Sequence, residues 1–274
     1  MRVVHSSSRH AWENLAAEDL LLDDPGGAGP VLMISRNERA VVIGKNQNPW
    51  RECAVSRLAP LGVTLARRVS GGGTVYHDSG NLNFSLILPR DAYRRDEALA
   101  VFIRGLASIG IAAELAGGTS LAVQGRKISG NAFCYRRDKV LHHGTLLWRA
   151  DLVALHAFLR PELPDVDTRA VASVPMPVVN AAELTDAGER DAVAAIVASC
   201  AEAWGPVVEA DESPFAAPGF AERVARMGSW DWLYGTTPDF RCQREGATVL
   251  VHRGVVSEVG GSTTHHRVGQ RFAG

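Results

Sequence analysis

The chain has 274 residues, 46% of them hydrophobic, and its 29 lysines and arginines nearly balance 30 aspartates and glutamates. That length allows one large core with a small appended module, and the charge balance supplies neither a positive field for nucleic acid nor an acidic excess for disorder. Cys53, Cys134, Cys200 and Cys242 stand far apart with no C-x-x-C pair, which fits reduced thiols rather than a disulfide framework or a zinc ribbon.

Residues 1–10 lack an apolar signal core, and no stretch approaches the roughly 18 apolar residues that span a bilayer. A soluble cytoplasmic protein is expected, with no membrane and no nucleic-acid partner. Trp12, Leu15, Ala16, Leu20 and Leu22 recur at near-helical intervals, which predicts an amphipathic helix over 11–22 before the turn Asp23-Asp24-Pro25-Gly26-Gly27. The β-branched runs 31–34 and 40–44, separated by Arg36-Asn37-Glu38-Arg39, read as a hairpin-like pair. A strand over 63–69 enters the cluster Gly71-Gly72-Gly73, and residues 74–77 leave it. Residues 81–88 alternate as a strand with one covered face.

A helix follows over 94–110, then strands 128–135 and 140–148 around the charged turn Arg136-Arg137-Asp138-Lys139, then a helix over 152–159 opened by Asp151. Four prolines make residues 160–177 an ordered surface loop, and alanine-rich 191–204 is a helix by propensity. Strands 247–252 and 254–259 follow an aromatic segment, Trp230 to Gly235, whose tryptophans are expected to pack the C-terminal part. The last residues read as a frayed end. Together these elements predict an α+β fold, a mixed or antiparallel sheet flanked by helices, with one domain over 1–240 and a short C-terminal extension over 241–274.

The chemistry concentrates in Arg67-Arg68-Val69-Ser70-Gly71-Gly72-Gly73-Thr74-Val75-Tyr76-His77-Asp78 and the following Gly80-Asn81-Leu82-Asn83-Phe84-Ser85. Three glycines between strands let backbone N–H groups converge on phosphate or carboxylate oxygens, and adjacent arginines add forked, charge-assisted donors. The run is neither a P-loop, which needs G-x-x-x-x-G-K-S/T, nor a dinucleotide fingerprint. A tight bulged turn with Arg67 and Arg68 as solvated surface charges is the plainer alternative. A second cluster, Gly125-Arg126-Lys127-Ile128-Ser129-Gly130-Asn131-Ala132, sets a lysine before an apolar strand, where it would stabilise negative charge on a phosphate or carbonyl. In the third, His142-His143-Gly144-Thr145-Leu146-Leu147, one histidine is expected to pack in the strand. No third ligand stands at metal spacing, so no protein-bound zinc is expected.

These three segments together resemble the lipoate-protein ligase A family, related in fold to the biotin ligases, and the resemblance extends through Asn14 to Leu22 and Trp232 to Phe240. It implies a biotin/lipoate ligase-like catalytic domain that uses ATP and Mg2+ to convert lipoate or octanoate to its acyl-adenylate. The acyl group then passes to a lysine of an apo lipoyl domain, in a 2-oxoacid dehydrogenase acyltransferase or a glycine-cleavage carrier protein. It also implies that Arg68, the backbone of Gly73, Thr74, Val75 and Tyr76, and Lys127 hold the nucleotide or adenylate. Lys127 would touch the acyl carbonyl as the catalytic residue, and Ser70, Gly71, Gly72, Asp78, Asn81, Asn83, Ser129, Gly130 and Ala132 would shape the same pocket. Only about 34 residues follow Phe240, fewer than the accessory domain of the longer ligases, so a separate accessory chain is one expectation. The rival on the same fold is an octanoyl- or lipoyltransferase working without ATP from a carrier-protein or lipoyl-protein donor, with Cys134 as its candidate nucleophile.

Overall fold

The alternating residues 81–88 become strand Asn81–Pro89 at the centre of the largest sheet in the computed structural model, which describes residues 1–24, 29–209, 213–261 and 265–273. Pro25, Gly26 and Gly27 of the expected turn lie outside the described residues. The sheet belongs to the first of two compact units, made of Met1–Glu38, His77–Leu152 and Pro175–Val224. Its strand order is Val208–Glu209, Arg2–His5, Val31–Ser35, Asn81–Pro89, Lys139–Leu147, Arg126–Tyr135, Ser120–Val123, Glu114–Ala116. Pairing is parallel among the first three strands and antiparallel across the rest, so the sheet is mixed.

One face carries the main core. Leu82, Phe84, Leu86 and Leu88 pack there with Leu99 and Phe102 of helix Arg95–Ala107 and Ile196 of helix Glu189–Trp204. The two helices approach closely at Gly105, where a Cβ would lie 3.1 Å from the Ala195 carbonyl oxygen. The other face is covered too, which corrects the expectation of a single covered face: Asn81, Asn83 and Ser85 are buried like the leucines between them. Helix Ala11–Asp23 contributes to that cover. It buries Asn14, Glu18 and Asp19 along with Leu15, Leu21 and Leu22, so it is not the simple amphipathic helix that its apolar spacing suggests. These polar groups are matched by partners: Asn14 Nδ2 donates to Asn37 Oδ1 at 2.7 Å, and Asp19 accepts from Arg136 and Arg223.

The second unit comprises Arg39–Tyr76, Val153–Val174 and Ala225–Gly274. Here strand Ala40–Ile43 pairs in parallel with Thr64–Arg67, while Val31–Ser35 pairs only within the first unit's sheet, so these two runs form no hairpin. The residues between two runs that are each buried on both faces serve as a crossing rather than a tight turn. A second sheet has the order Asp167–Thr168, Phe240–Arg244, Ala247–His252, Val255–Gly260. Its hairpins turn on Glu245-Gly246 and Arg253-Gly254, both pairs at positive φ, the two-residue turn that matches strand twist.

Nor is the C-terminal segment frayed. Phe272 is 2% exposed, its ring 5.0 Å from Trp50 and 5.3 Å from Phe240, and its N–H donates to the Gly254 carbonyl. Arg271 lies over Trp230 at 4.4 Å, so that tryptophan does pack the C-terminal part. An aromatic side chain near a chain end gains enough from burial to order its neighbours. No helix among the described residues is long and apolar enough to cross a membrane.

His142 packs within its strand as expected. Asn131 Nδ2 donates to the Thr119 carbonyl, which leaves Oδ1 to accept from His142 Nε2 at 3.0 Å. Phe84, Phe102, Phe133 and Tyr93 surround the ring. Burial, and then the neighbouring His143, bring its pKa down from 6.5 to about 3. An unfolded chain takes up a proton near pH 6.5 that the folded chain refuses until about pH 3, so stability is lost as pH falls through that window. Between pH 7 and pH 5 the loss is expected to reach about 2 kcal/mol. Urea unfolding at the two pH values should show it, and His142→Gln, which keeps a donor for Asn131, should flatten that slope.

Candidate active site

The residues singled out by sequence fall into two groups, one in each unit. In the second unit the glycine run leaves strand Thr64–Arg67 between two buried arginines, which overturns the reading of solvated surface charges. Arg67 is fully buried, and its donors all end on oxygens: the carbonyls of Gly44, Lys45, Gln47 and Leu233, and the Thr237 hydroxyl. Burial lowers its pKa to about 10, so it remains charged at neutral pH. Arg68 lies under the loop. Its Nε donates to Ser70 Oγ at 3.0 Å, its Nη2 to the carbonyls of Gly71 and Gly73 at 2.5 and 2.7 Å, and its Nη1 to the Val42 carbonyl. The loop is therefore wrapped around a guanidinium.

Gly72 has φ +82, a conformation that suits glycine, and a Cβ on Gly71 would meet nothing within 4 Å. Ser70 is buried, with its carbonyl accepting from Lys45 N–H, and Tyr76 is buried in a stack against Phe158. Thr74 is tied to residues that sequence reasoning missed. Its N–H donates to Ser173 Oγ at 2.8 Å and its hydroxyl to Gln47 Oε1 at 2.9 Å, while Ser173 Oγ also donates to Glu52. Ser173 comes from the proline-rich loop, 99 residues on from Thr74, and no spacing signal links it to the glycines. Val75 is half-buried on strand Val75–His77.

In the first unit, Asp78 is a structural carboxylate: its two oxygens accept from the N–H groups of Gly80 and Asp151, each at 2.8 Å. Asn81 Nδ2 donates to Asn83 Oδ1 at 2.7 Å along the central strand. Asn83 stands between Ser35 and Thr145 on the neighbouring strands, and the Thr145 hydroxyl accepts from Gly130 N–H at 3.2 Å. Lys127 joins this row through a β-bulge. Leu121 pairs with Ser129 but Ala122 pairs with Lys127, so Ile128 is one extra residue. Strict alternation would set Lys127 on the face opposite Gly130; the extra residue brings it to the same face.

A Cβ on Gly130 would lie 2.9 Å from Lys127 Nζ and 3.9 Å from Thr145 Oγ1, so the ammonium passes over that glycine. The Lys127 backbone is held on both sides, its N–H donating to Pro177 and its carbonyl accepting from Val179. The turn before it, Gln124-Gly125, has both residues at positive φ and sets the register. Ala132 shares the Gly130 face. Ser129 does not: it accepts from Asn131 on the opposite side and is 1% exposed.

A further group went unread in the sequence. One step along the same face, Glu18 accepts from Ser85 Oγ at 2.5 Å and lies 2.8 Å from His143 Nδ1, all three buried. The period-two spacing of Ser85 from Asn83 and of His143 from Thr145 is the signal that could have found the strand members. All four cysteines are free; Cys53, Cys200 and Cys242 are buried, and Cys134 is half-buried and lies four residues along the strand from Gly130, about 13 Å away. Among the described residues no group of three His, Cys, Asp or Glu could hold a metal ion.

Known proteins resemble this chain in sequence and in fold. The model of the lipoyl protein ligase A/B catalytic domain matches residues 10–203. Lipoate-protein ligase A of Psychrobacter cryohalolentis is 35% identical over 250 residues, 88% of this chain and 74% of that one. The crystal structure of LipL1 from P. falciparum in complex with lipoate aligns at a TM-score of 0.73 and 25% identity, over 94% of this chain and 83% of that one. A lipoate-protein ligase A bound with ATP aligns at 0.69 and 23%, over 84% and 97% of the two chains, and shares the fold. The chain belongs to the lipoyl protein ligase A/B catalytic domain family and is an enzyme with the biotin/lipoate ligase-like fold.

Two glycines separate packing from open space in the loop. A Cβ on Gly44 would run into the Gly72 carbonyl oxygen, a backbone atom that cannot swing aside. Gly44→Ala is expected to cost about 1–3 kcal/mol in urea unfolding. Gly71→Ala, which meets nothing, should change stability by less than about 0.5 kcal/mol.

Proposed function

We propose that this chain is a lipoate-protein ligase that activates lipoate or octanoate with ATP and transfers the acyl group to a lysine of an apo lipoyl domain. The carboxylate attacks the α-phosphate, pyrophosphate leaves, and the acceptor amine then attacks the mixed anhydride. No protein nucleophile is required, so positioning and electrostatics carry the rate. The observation that carries this reading is the bulge that sets the Lys127 ammonium over Gly130, where no larger residue fits without displacing it. Lys127 neutralises charge on the α-phosphate and the acyl carbonyl. The run Ser70 to Tyr76, wrapped on Arg68, supplies a preformed glycine turn for the nucleotide, while Asp78, Asn81, Asn83, Ser129, Gly130 and Ala132 hold the strands around Lys127 in shape.

Magnesium is implied for ATP chemistry, but the donor set does not fit a protein-held ion: both Asp78 oxygens already accept backbone N–H groups. On this reading Mg2+ enters with the phosphates. The acceptor is the lipoyl domain of a 2-oxoacid dehydrogenase acyltransferase or a glycine-cleavage carrier protein, with its lysine exposed. Residues 241–274, packed within the second unit, serve as a short accessory segment, and the enzyme works in the cytoplasm. The transferase alternative places a thioester on Cys134, and about 13 Å along the strand from Gly130 is far for a sulfur sharing a carbonyl with Lys127.

Purified protein mixed with Mg-ATP, lipoate and an apo lipoyl domain should add a lipoyl mass to that domain only when ATP is present, read by intact-mass spectrometry. Transfer from an acyl-carrier donor without ATP would instead establish the transferase. Lys127→Ala is expected to lower adenylate formation by about two to three orders of magnitude, the scale of one lost oxyanion donor.

A further inference from the structure

Asn83 is 6% exposed, and its Nδ2 has no hydrogen-bond partner, while its Oδ1 is occupied by Asn81. A buried amide donor left unpaired destabilises a fold, and here, with Asn81 Oδ1 on the same strand also unpaired, it points to a polar group that arrives from outside. Directly paired residues on adjacent strands share a face, so Asn83, Thr145 and the Cβ direction of Gly130 all point the same way. Lys127 Nζ lies in that direction over Gly130. Asn83 and Gly130 stand two strands apart, about 10 Å between backbones. With an amide reaching in from one side and an ammonium from the other, the gap left suits a group the size of an acyl carbonyl with its attached phosphate oxygen. Thr145 fills the floor between them and directs its lone pair to Gly130 rather than upward.

We propose that Asn83 is a second catalytic donor, its Nδ2–H aimed at the acyl carbonyl oxygen from the side opposite Lys127. This deepens the ligase reading and rests on it. As the acceptor amine attacks, the C–N bond forms and the carbonyl π pair moves onto oxygen, where Asn83 and Lys127 stabilise it. Collapse of that intermediate breaks the C–O bond to phosphate, AMP leaves with the electron pair, and the amine proton passes to water. Asn81 is the positioning residue: its amide grips Asn83 Oδ1 and turns Nδ2 outward.

The test is single-turnover transfer from a preformed acyl donor to an apo lipoyl domain, with thermal unfolding of each variant measured alongside. Asn83→Asp keeps the shape and the acceptor oxygen for Asn81 but removes the donor; Asn83→Ala removes the side chain. Both are expected to lower the transfer rate about a hundredfold at saturating lipoyl domain, with the half-saturating concentration of that domain changed by less than about threefold. A wild-type rate in Asn83→Asp would overturn the assignment, as would a loss in both variants that only tracks a fall in the unfolding midpoint. Should alanine unfold the chain, the aspartate variant carries the test. The carbonyl oxygen is common to adenylate and thioester donors, so the measurement runs with whichever donor the wild-type enzyme uses. A failed ligase reading is thereby distinguishable from a failed role for Asn83.

Discussion

Side chains alternate along a strand, and in strand Arg126–Tyr135 that rule alone would turn Lys127 to the face opposite Gly130. The one extra residue at Ile128 reverses this locally. The rest of the site depends on that reversal: a lysine on the face it shares with Gly130 and Thr145, a glycine whose missing side chain leaves room for its ammonium, and a row of polar groups reaching back to Asn83 and Ser35. The bulge is fixed from both ends. The tight Gln124-Gly125 turn sets the register before it, and the hydrogen bonds to Pro177 and Val179 hold the backbone at Lys127 itself.

The second unit solves a different problem by the opposite means. A glycine-rich run has little conformational preference of its own, and here its shape is imposed by a cation inside it. Arg68 collects carbonyl oxygens from Gly71 and Gly73, and Arg67 collects four more from distant turns. Neither arginine has a carboxylate among these partners. A buried guanidinium can be satisfied this way because its five donors fan out in a plane that many carbonyls can meet.

Periodicity made most helices and strands legible: residues 94–110, 191–204, 128–135 and 247–252 match elements of the same type, with their ends shifted by a few residues at most. Pairing was not legible. Runs 31–34 and 40–44 look like a hairpin because they are adjacent and alike, and only the sheet order shows that each pairs elsewhere. The burial of Asn81, Asn83, Glu18 and His143 was hidden for a related reason, since polarity reads as exposure until partners from other strands are known. The glycine and lysine clusters were visible as patterns with a family resemblance. The reasons for their shape were not, because Ser173, Gln47 and Glu52 reach Thr74 through space rather than through spacing. The end of the chain, with Phe272 in an aromatic cluster, had no periodic signal at all.

The carbonyl oxygens that hold Arg67 belong to the main chain, and a main-chain acceptor is the same whichever side chain stands beside it. Lys45 and Leu233 could be exchanged for other residues without removing a single bond to that guanidinium, whereas exchanging the arginine itself would strip several at once. The meeting of these separate turns is thus written almost entirely in one residue. Its surroundings can drift in sequence while its geometry is inherited unchanged.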